Sequence, residues 1–123
     1  AYFKGGIVPI EDARISIMAH GFNYGTGCFE GIRAYWNEEQ GELYLLHAHE
    51  HFRRMARNAK ILFMELPHAV QDLVTTSVEL ARATEYRQDI YLRPTLYKGD
   101  ELIGVRLHGL GTPSGNVLLA SHR

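Results

Sequence analysis

The sequence predicts an α+β fold. The expected form is a two-layer sandwich in which a mostly antiparallel sheet carries two central helices, in the order strands, helix, helix, strands. Three observations predict it. Residues 28–36, CFEGIRAYW, and 42–46, ELYLL, are short β-rich runs joined by the polar turn NEEQG. The middle of the chain, up to about residue 84, repeats apolar residues at helical spacing. Residues 89–98, DIYLRPTLYK, and the later NVLLA are strand-like again.

Taken in order, Tyr2–Phe3 and Ile7–Val8 flank Gly5–Gly6, a hairpin signal. EDARISIMAHGFNYGTG reads as irregular chain with a brief extended piece near Ile15–Ile17. Phe52, Met55, Ala56, Ala59, Leu62 and Phe63 then line one helix, which Pro67 is expected to end. A second helix at about 69–84 has Val70, Leu73, Val74, Ser77, Leu80, Ala81 and Thr84 as its inner stripe. Pro94 cannot donate to a ladder, so the strand at 89–98 is expected at an edge or to carry a bulge. ELIGVRLHGLGTPSG reads as a glycine-rich loop with a short extended piece at Val105–Leu107, and NVLLA closes the sheet.

A chain of 123 residues suits a single α+β domain, 1–123. A net charge of −1 argues against non-specific nucleic-acid binding, which needs a basic face. No apolar run approaches the ~20 residues that span a bilayer, and 1–17 lacks the pattern of a signal peptide. Cys28 is the lone cysteine, so an internal disulfide and a multi-cysteine zinc site are both excluded; a reducing, cytoplasmic setting is expected. Ala1 at the start and the apolar run VLLASHR at the finish lead to the expectation of a piece of a longer protein.

Four glycines between positions 21 and 31 raise the question of a phosphate loop. GTGCFEG is a poor dinucleotide fingerprint, because Glu30 stands at its sixth position and a strand follows where a helix is needed. Strand alternation is more informative. Phe29, Gly31, Arg33 and Tyr35 share one face, and Glu30, Ile32, Ala34 and Trp36 the other. Tyr91 and Arg93 likewise oppose Leu92, Pro94 and Leu96. With the apolar set against the helices, Phe29, Arg33, Tyr91 and Arg93 gather on the opposite face. That face is either an ordinary solvent face or a pocket for a small anion with an apolar part. Arg54 and Arg57 share a side of the first helix and form either a phosphate fork or a solvated face, and Arg53 lies beside them. HAHEH lacks the metalloprotease spacing, so His47, His49 and His51 read as helix-start histidines and no metal site is expected. Of the three lysines, Lys4, Lys60 and Lys98, neither Lys60 nor Lys98 has a context that suggests desolvation.

Three segments together carry a family resemblance: HGFNYGTGCFEGIRAY at 20–35, EHFRRMARNAKIL at 50–62 and IYLRPTLYKGD at 90–100. They resemble the small N-terminal domain of branched-chain amino-acid aminotransferases, fold-type IV enzymes that use pyridoxal 5′-phosphate. The resemblance implies that Tyr24 reaches into the site of a partner subunit, making a homodimer or higher homo-oligomer. It implies that Phe29 walls the pocket for a leucine, isoleucine or valine side chain, with Gly31 giving clearance between Phe29 and Arg33. Arg54 would hold the cofactor phosphate. Tyr91 would help hold the substrate α-carboxylate, and Arg93 the side-chain carboxylate of glutamate, the amino donor that regenerates from 2-oxoglutarate. The Schiff-base lysine is expected in a larger domain beyond Arg123, so this chain alone is expected to be inactive. Other fold-type IV enzymes remain as alternatives: D-amino-acid transaminase, R-selective amine transaminase and aminodeoxychorismate lyase. So does a stand-alone domain that binds a small anion or a protein partner. Cys28 points with Ile32 and is expected in the core.

Overall fold

A computed structural model gives the fold; it describes residues 1–101, 103 and 115–122, the last group by backbone alone. The chain opens on a hairpin of β1 (Tyr2–Phe3) and β2 (Gly6–Ile7). Its two turn residues, Lys4 and Gly5, both have positive φ, as primed two-residue turns require. Gly6 therefore belongs to a strand, one step from where the glycine pair suggested. The extended piece expected near Ile15–Ile17 forms no strand. Instead HGFNY winds into a short helix, α1 (His20–Tyr24), that Gly25 closes in the left-handed conformation at φ 66°. Five residues are too few to show a helical period, so the pattern could not reveal it.

The run at 28–36 becomes two collinear strands, β3 (Gly27–Phe29) and β4 (Ile32–Asn37), followed by β5 (Glu42–Leu45). Helices α2 (Ala48–Ile61) and α3 (Val70–Ala83) come next, then β6 (Ile90–Lys98) and β7 (Gly115–His122). The seven strands form one sheet in the order β2-β1-β7-β6-β4-β5, with β3 also on β6, and every pairing is antiparallel. The glycine-rich segment before β7 and the extended piece expected at Val105–Leu107 fall outside the described residues.

β6 is central, flanked by β7 on one side and by β3 and β4 on the other, so Pro94 is neither at an edge nor in a bulge. The register is the same on both sides of it: Phe29 faces Thr95 and Ile32 faces Leu92. Glu30 donates its N–H to the Pro94 carbonyl at 2.9 Å, but Pro94 has no N–H to return. That single missing bond separates β3 from β4.

α2 stops at Ile61, well short of Pro67. Phe63 turns left-handed at φ 53°, and Met64 N–H reaches back to the Ala59 carbonyl at 2.9 Å, a Schellman-type closure. Phe63 is thereby thrown outward to 57% exposure, off the inner stripe where its spacing had put it. The core lies between one sheet face and the helices, joining Phe52, Met55 and Ala59 of α2 to Leu73 and Leu80 of α3 and to Ile32, Leu92 and Leu96 of the sheet. Ser77, buried on the α3 stripe, satisfies its hydroxyl on the Leu73 carbonyl at 2.7 Å.

Neighbours on β6 should respond oppositely to truncation. Leu92→Ala is expected to cost about 2–5 kcal/mol in urea unfolding of the native protein. Arg93→Ala, one residue on and on the open face, is expected to stay within about 0.5 kcal/mol. Equal losses would mean the faces are misassigned.

Candidate functional site

β3, β4 and β6 turn one face to the helices and the other outward. Phe29, Arg33 and Arg93 are exposed on the outward face, with Tyr91 half-buried among them. The register sets Arg33 directly opposite Tyr91. The Arg93 guanidinium lies 3.8 Å above the Phe29 ring centroid, a cation–π contact. A Cβ at Gly31 would lie 2.6 Å from the Tyr91 hydroxyl oxygen and 2.9 Å from a ring carbon. The clearance at Gly31 is thus taken by Tyr91, rather than lying between Phe29 and Arg33.

Tyr24 sits on α1, 37% exposed, with its ring 4.6 Å from that of His20. His20 is fully buried, and its Nδ1 is 2.7 Å from the Thr26 hydroxyl across the glycine turn. Beside Phe29 lies a largely apolar concavity of about 360 Å³, bordered by Ile15, Phe22, Gly25, Gly27, Thr95 and Tyr97. A larger one, about 460 Å³, lies at the far side of the sheet near Trp36, Leu43, Arg82, Glu85 and Tyr86. It holds none of the candidate site residues, and both charge signs stand at its rim, so size does not identify the site.

Arg54 stands behind the sheet, on α2, and is tied to it by a residue the sequence reading passed over. Glu30 is 3% exposed, on the core face beside Ile32. Arg54 grips it with both edges of a fork: Nε donates to Oε1 at 2.8 Å and Nη2 to Oε2 at 2.5 Å. His51 Nδ1 donates to Oε2 at 2.9 Å, which fixes its proton on that nitrogen because a carboxylate only accepts. A carboxylate at a strand position whose same-face neighbours are Ile32 and Ala34 needs a partner. That parity signal, matched with a histidine and an arginine three apart on the helix, could have found it. Arg54 itself keeps 56% of its side chain exposed, and Nη1 has no acceptor among the described residues. Arg53 and Arg57 are exposed. Of the other histidines, His47 meets Glu50 at a loose 3.9 Å. Among the described residues no group of three or more His, Cys, Asp or Glu could hold a metal ion, and no helix is long and apolar enough to cross a membrane.

Cys28 packs against the core cluster, and burial, then the Glu30 charge, pushes its thiol pKa up. One expectation fails here: Lys98 is only 2% exposed. At this end of β6 the Lys98 N–H donates to the Thr26 carbonyl at 3.0 Å and the His20 N–H to that of Asp100 at 2.8 Å, which ties the end of the strand to the α1 segment. Lys60 is exposed, as its context suggested, and so is Lys4.

Burial would raise the Glu30 carboxyl, but the hydrogen bonds and charges of Arg54 and His51 outweigh it and hold it below the ordinary carboxylate range. A carboxyl with a folded-state pKa below its unfolded one adds stability above the unfolded value, and loses it as pH falls through the folded one. The difference in urea midpoint between native protein and Glu30→Gln is therefore expected to shrink between about pH 7 and about pH 3. A difference that does not change with pH would show that the charge contributes nothing.

No family model matches the sequence. Among curated proteins, the probable branched-chain-amino-acid aminotransferase of Aquifex aeolicus is 53% identical over 100 residues, 81% of this chain and 32% of that one. The branched-chain-amino-acid aminotransferase of Escherichia coli K12 is 33% identical over 104 residues, 85% of this chain and 33% of that one. Among solved structures, the branched-chain aminotransferase of Thermoproteus uzoniensis with norvaline superposes at a TM-score of 0.89 with 34% identity, over 98% of this chain and 39% of that one. The T.th. branched-chain amino acid aminotransferase complexed with N-(5′-phosphopyridoxyl)-L-glutamate superposes at 0.87 with 34% identity, over 98% of this chain and 39% of that one. The same enzyme has also been solved with 4-methylvaleric acid. This chain spans about a third of the length of the curated relatives it matches. In sequence and in fold it corresponds to the N-terminal part of branched-chain amino-acid aminotransferases, enzymes of fold type IV.

Proposed function

We propose that the chain is the small domain of a pyridoxal 5′-phosphate-dependent transaminase that exchanges amino groups between leucine, isoleucine or valine and 2-oxoglutarate. The carrying observation is the outward sheet face, where an apolar ring, a tyrosine hydroxyl and two guanidinium groups converge. A relative bound in turn to a glutamate adduct and to 4-methylvaleric acid supports a pocket that takes both a dicarboxylate and an apolar acid. In this reading Phe29 packs on the branched side chain. Tyr91, fitted over Gly31, and Arg33 border the substrate carboxylate, and Arg93 receives the second carboxylate of glutamate.

Arg54 suits the cofactor phosphate, since it offers an exposed guanidinium edge with a donor unclaimed among the described residues. The cofactor, when bound, supplies the electron sink for moving the α-proton. The lysine that carries it is assigned to a larger domain beyond Arg123. Tyr24 serves the partner subunit of a homodimer, supported by its place on the exposed helix α1 and by the exposed Ile17, Met18 and Phe22 around it. A cytoplasmic location goes with the free thiol of Cys28.

The full-length protein is expected to turn over L-leucine with 2-oxoglutarate; turnover of D-alanine or an R-amine instead would sink the assignment. Phe29→Ala is expected to raise KM for L-leucine about tenfold, and Arg93→Ala to raise KM for 2-oxoglutarate by at least as much while sparing leucine. Borohydride reduction with the cofactor present should label one lysine beyond Arg123. A single stoichiometric label on the buried Lys98 would move the cofactor site into this domain.

A further inference from the structure

We infer that Glu30 is a positioning residue for the phosphate site: from the core face of the sheet it fixes the Arg54 guanidinium so that its remaining edge is preset as an anion fork. The inference rests on the reading of Arg54 as the phosphate ligand.

The geometry supports it in three ways. Glu30 takes two of the three nitrogens of Arg54, Nε and Nη2, and leaves Nη1 directed away from the carboxylate. An arginine held at two points has one orientation for its third, whereas a free one must lose rotamer freedom on binding a ligand. Glu30 is itself held at several points. It is buried, its N–H is bonded to the Pro94 carbonyl, and His51 holds Oε2 as well. The pair also joins elements that bear on the two sides of the proposed site, because Glu30 follows Phe29 and precedes Gly31 in the chain. A shift of the strand would move the pocket wall and the phosphate arginine together.

Two effects of opposite sign act on phosphate affinity. The carboxylate offsets part of the Arg54 charge, which weakens attraction for a phosphate. It also presets the fork, which strengthens binding. Since the Arg54 side chain is more than half exposed, water screens the charge effect, and the orientation effect is expected to win.

The test uses the full-length protein stripped of cofactor, titrated with pyridoxal 5′-phosphate and with pyridoxal, which lacks the phosphate. Native protein, Glu30→Gln, Arg54→Gln and the double variant are compared. Glu30→Gln is expected to weaken pyridoxal 5′-phosphate about tenfold and pyridoxal little. In the Arg54→Gln background the Glu30 substitution should add no further loss of phosphate preference. Unchanged or tighter phosphate binding in Glu30→Gln would overturn the inference. So would an equal loss for both ligands, or a full extra loss on top of Arg54→Gln. If Arg54→Gln itself leaves the phosphate preference intact, the phosphate reading of Arg54 fails first. Should Glu30→Gln not fold, Glu30→Asp goes through the same titration; its shorter reach is expected to reduce phosphate preference too, and no reduction would overturn the inference.

Discussion

The antiparallel ladder between residues 29–34 and 90–95 constrains everything built on it. Side chains alternate along it with a period of two, so one register delivers Ile32, Leu92 and Leu96 to the helices and Phe29, Arg33, Tyr91 and Arg93 to the outside. A slip by one residue would bury Arg93 and expose Leu92. The hydrophobic gain that seats α2 and α3 therefore also aligns the outward residues, and the site needs no separate ordering force. The missing bond at Pro94 leaves this register intact, because pairs on either side of it hold the same alignment.

Glu30 is the exception that links the two faces. Alternation puts a carboxylate where the rest of the face is apolar, and burying it unpaired would cost several kcal/mol. Arg54 and His51 make that burial tolerable with three hydrogen bonds. An apolar residue at this position would be no worse for packing, so the pair is poor support for stability as such. What it adds is geometry. A bidentate fork allows few orientations, and this one ties the first half of α2 to the junction of β3 and β4.

Much of this was legible in the chain because period-two and period-3.6 patterns report burial directly. The strand at 90–98, the stripe of α3 and the outward set Phe29, Arg33, Tyr91 and Arg93 all follow from such patterns. What escaped lacks a period. α1 is a single short turn. The end of α2 is set by Phe63 in a left-handed conformation, which nothing in its side chain announces. Pro94 pointed to an edge or a bulge and lies at neither, because a central strand tolerates one missing donor when its neighbours keep their register. Local sequence marks Lys98 only as the end of a strand, while its burial is a matter of tertiary packing that no local pattern reports. Glu30 had a signal, a charge in an apolar column, yet its meaning needed a partner from another element.

The contact between Arg93 and Phe29 bears on how one surface can meet two unlike side chains. In the proposed reading the same pocket takes a carboxylate and an apolar branch in alternate half-reactions. A guanidinium beside an apolar ligand is a liability if its charge loses water without gaining a partner. The Phe29 ring, with the guanidinium 3.8 Å from its centroid, offers that partner in place of a carboxylate. A cation–π contact engages the plane of the guanidinium and leaves its N–H edges free to bond an anion. Arg93 can then keep one position for both substrates. Phe29 supplies one ring face to the arginine, and in the same proposed reading its remaining surface is left for an aliphatic chain. Gly31 matters to the same arrangement, since a side chain there would collide with Tyr91 and disturb the residue facing Arg33 across the ladder.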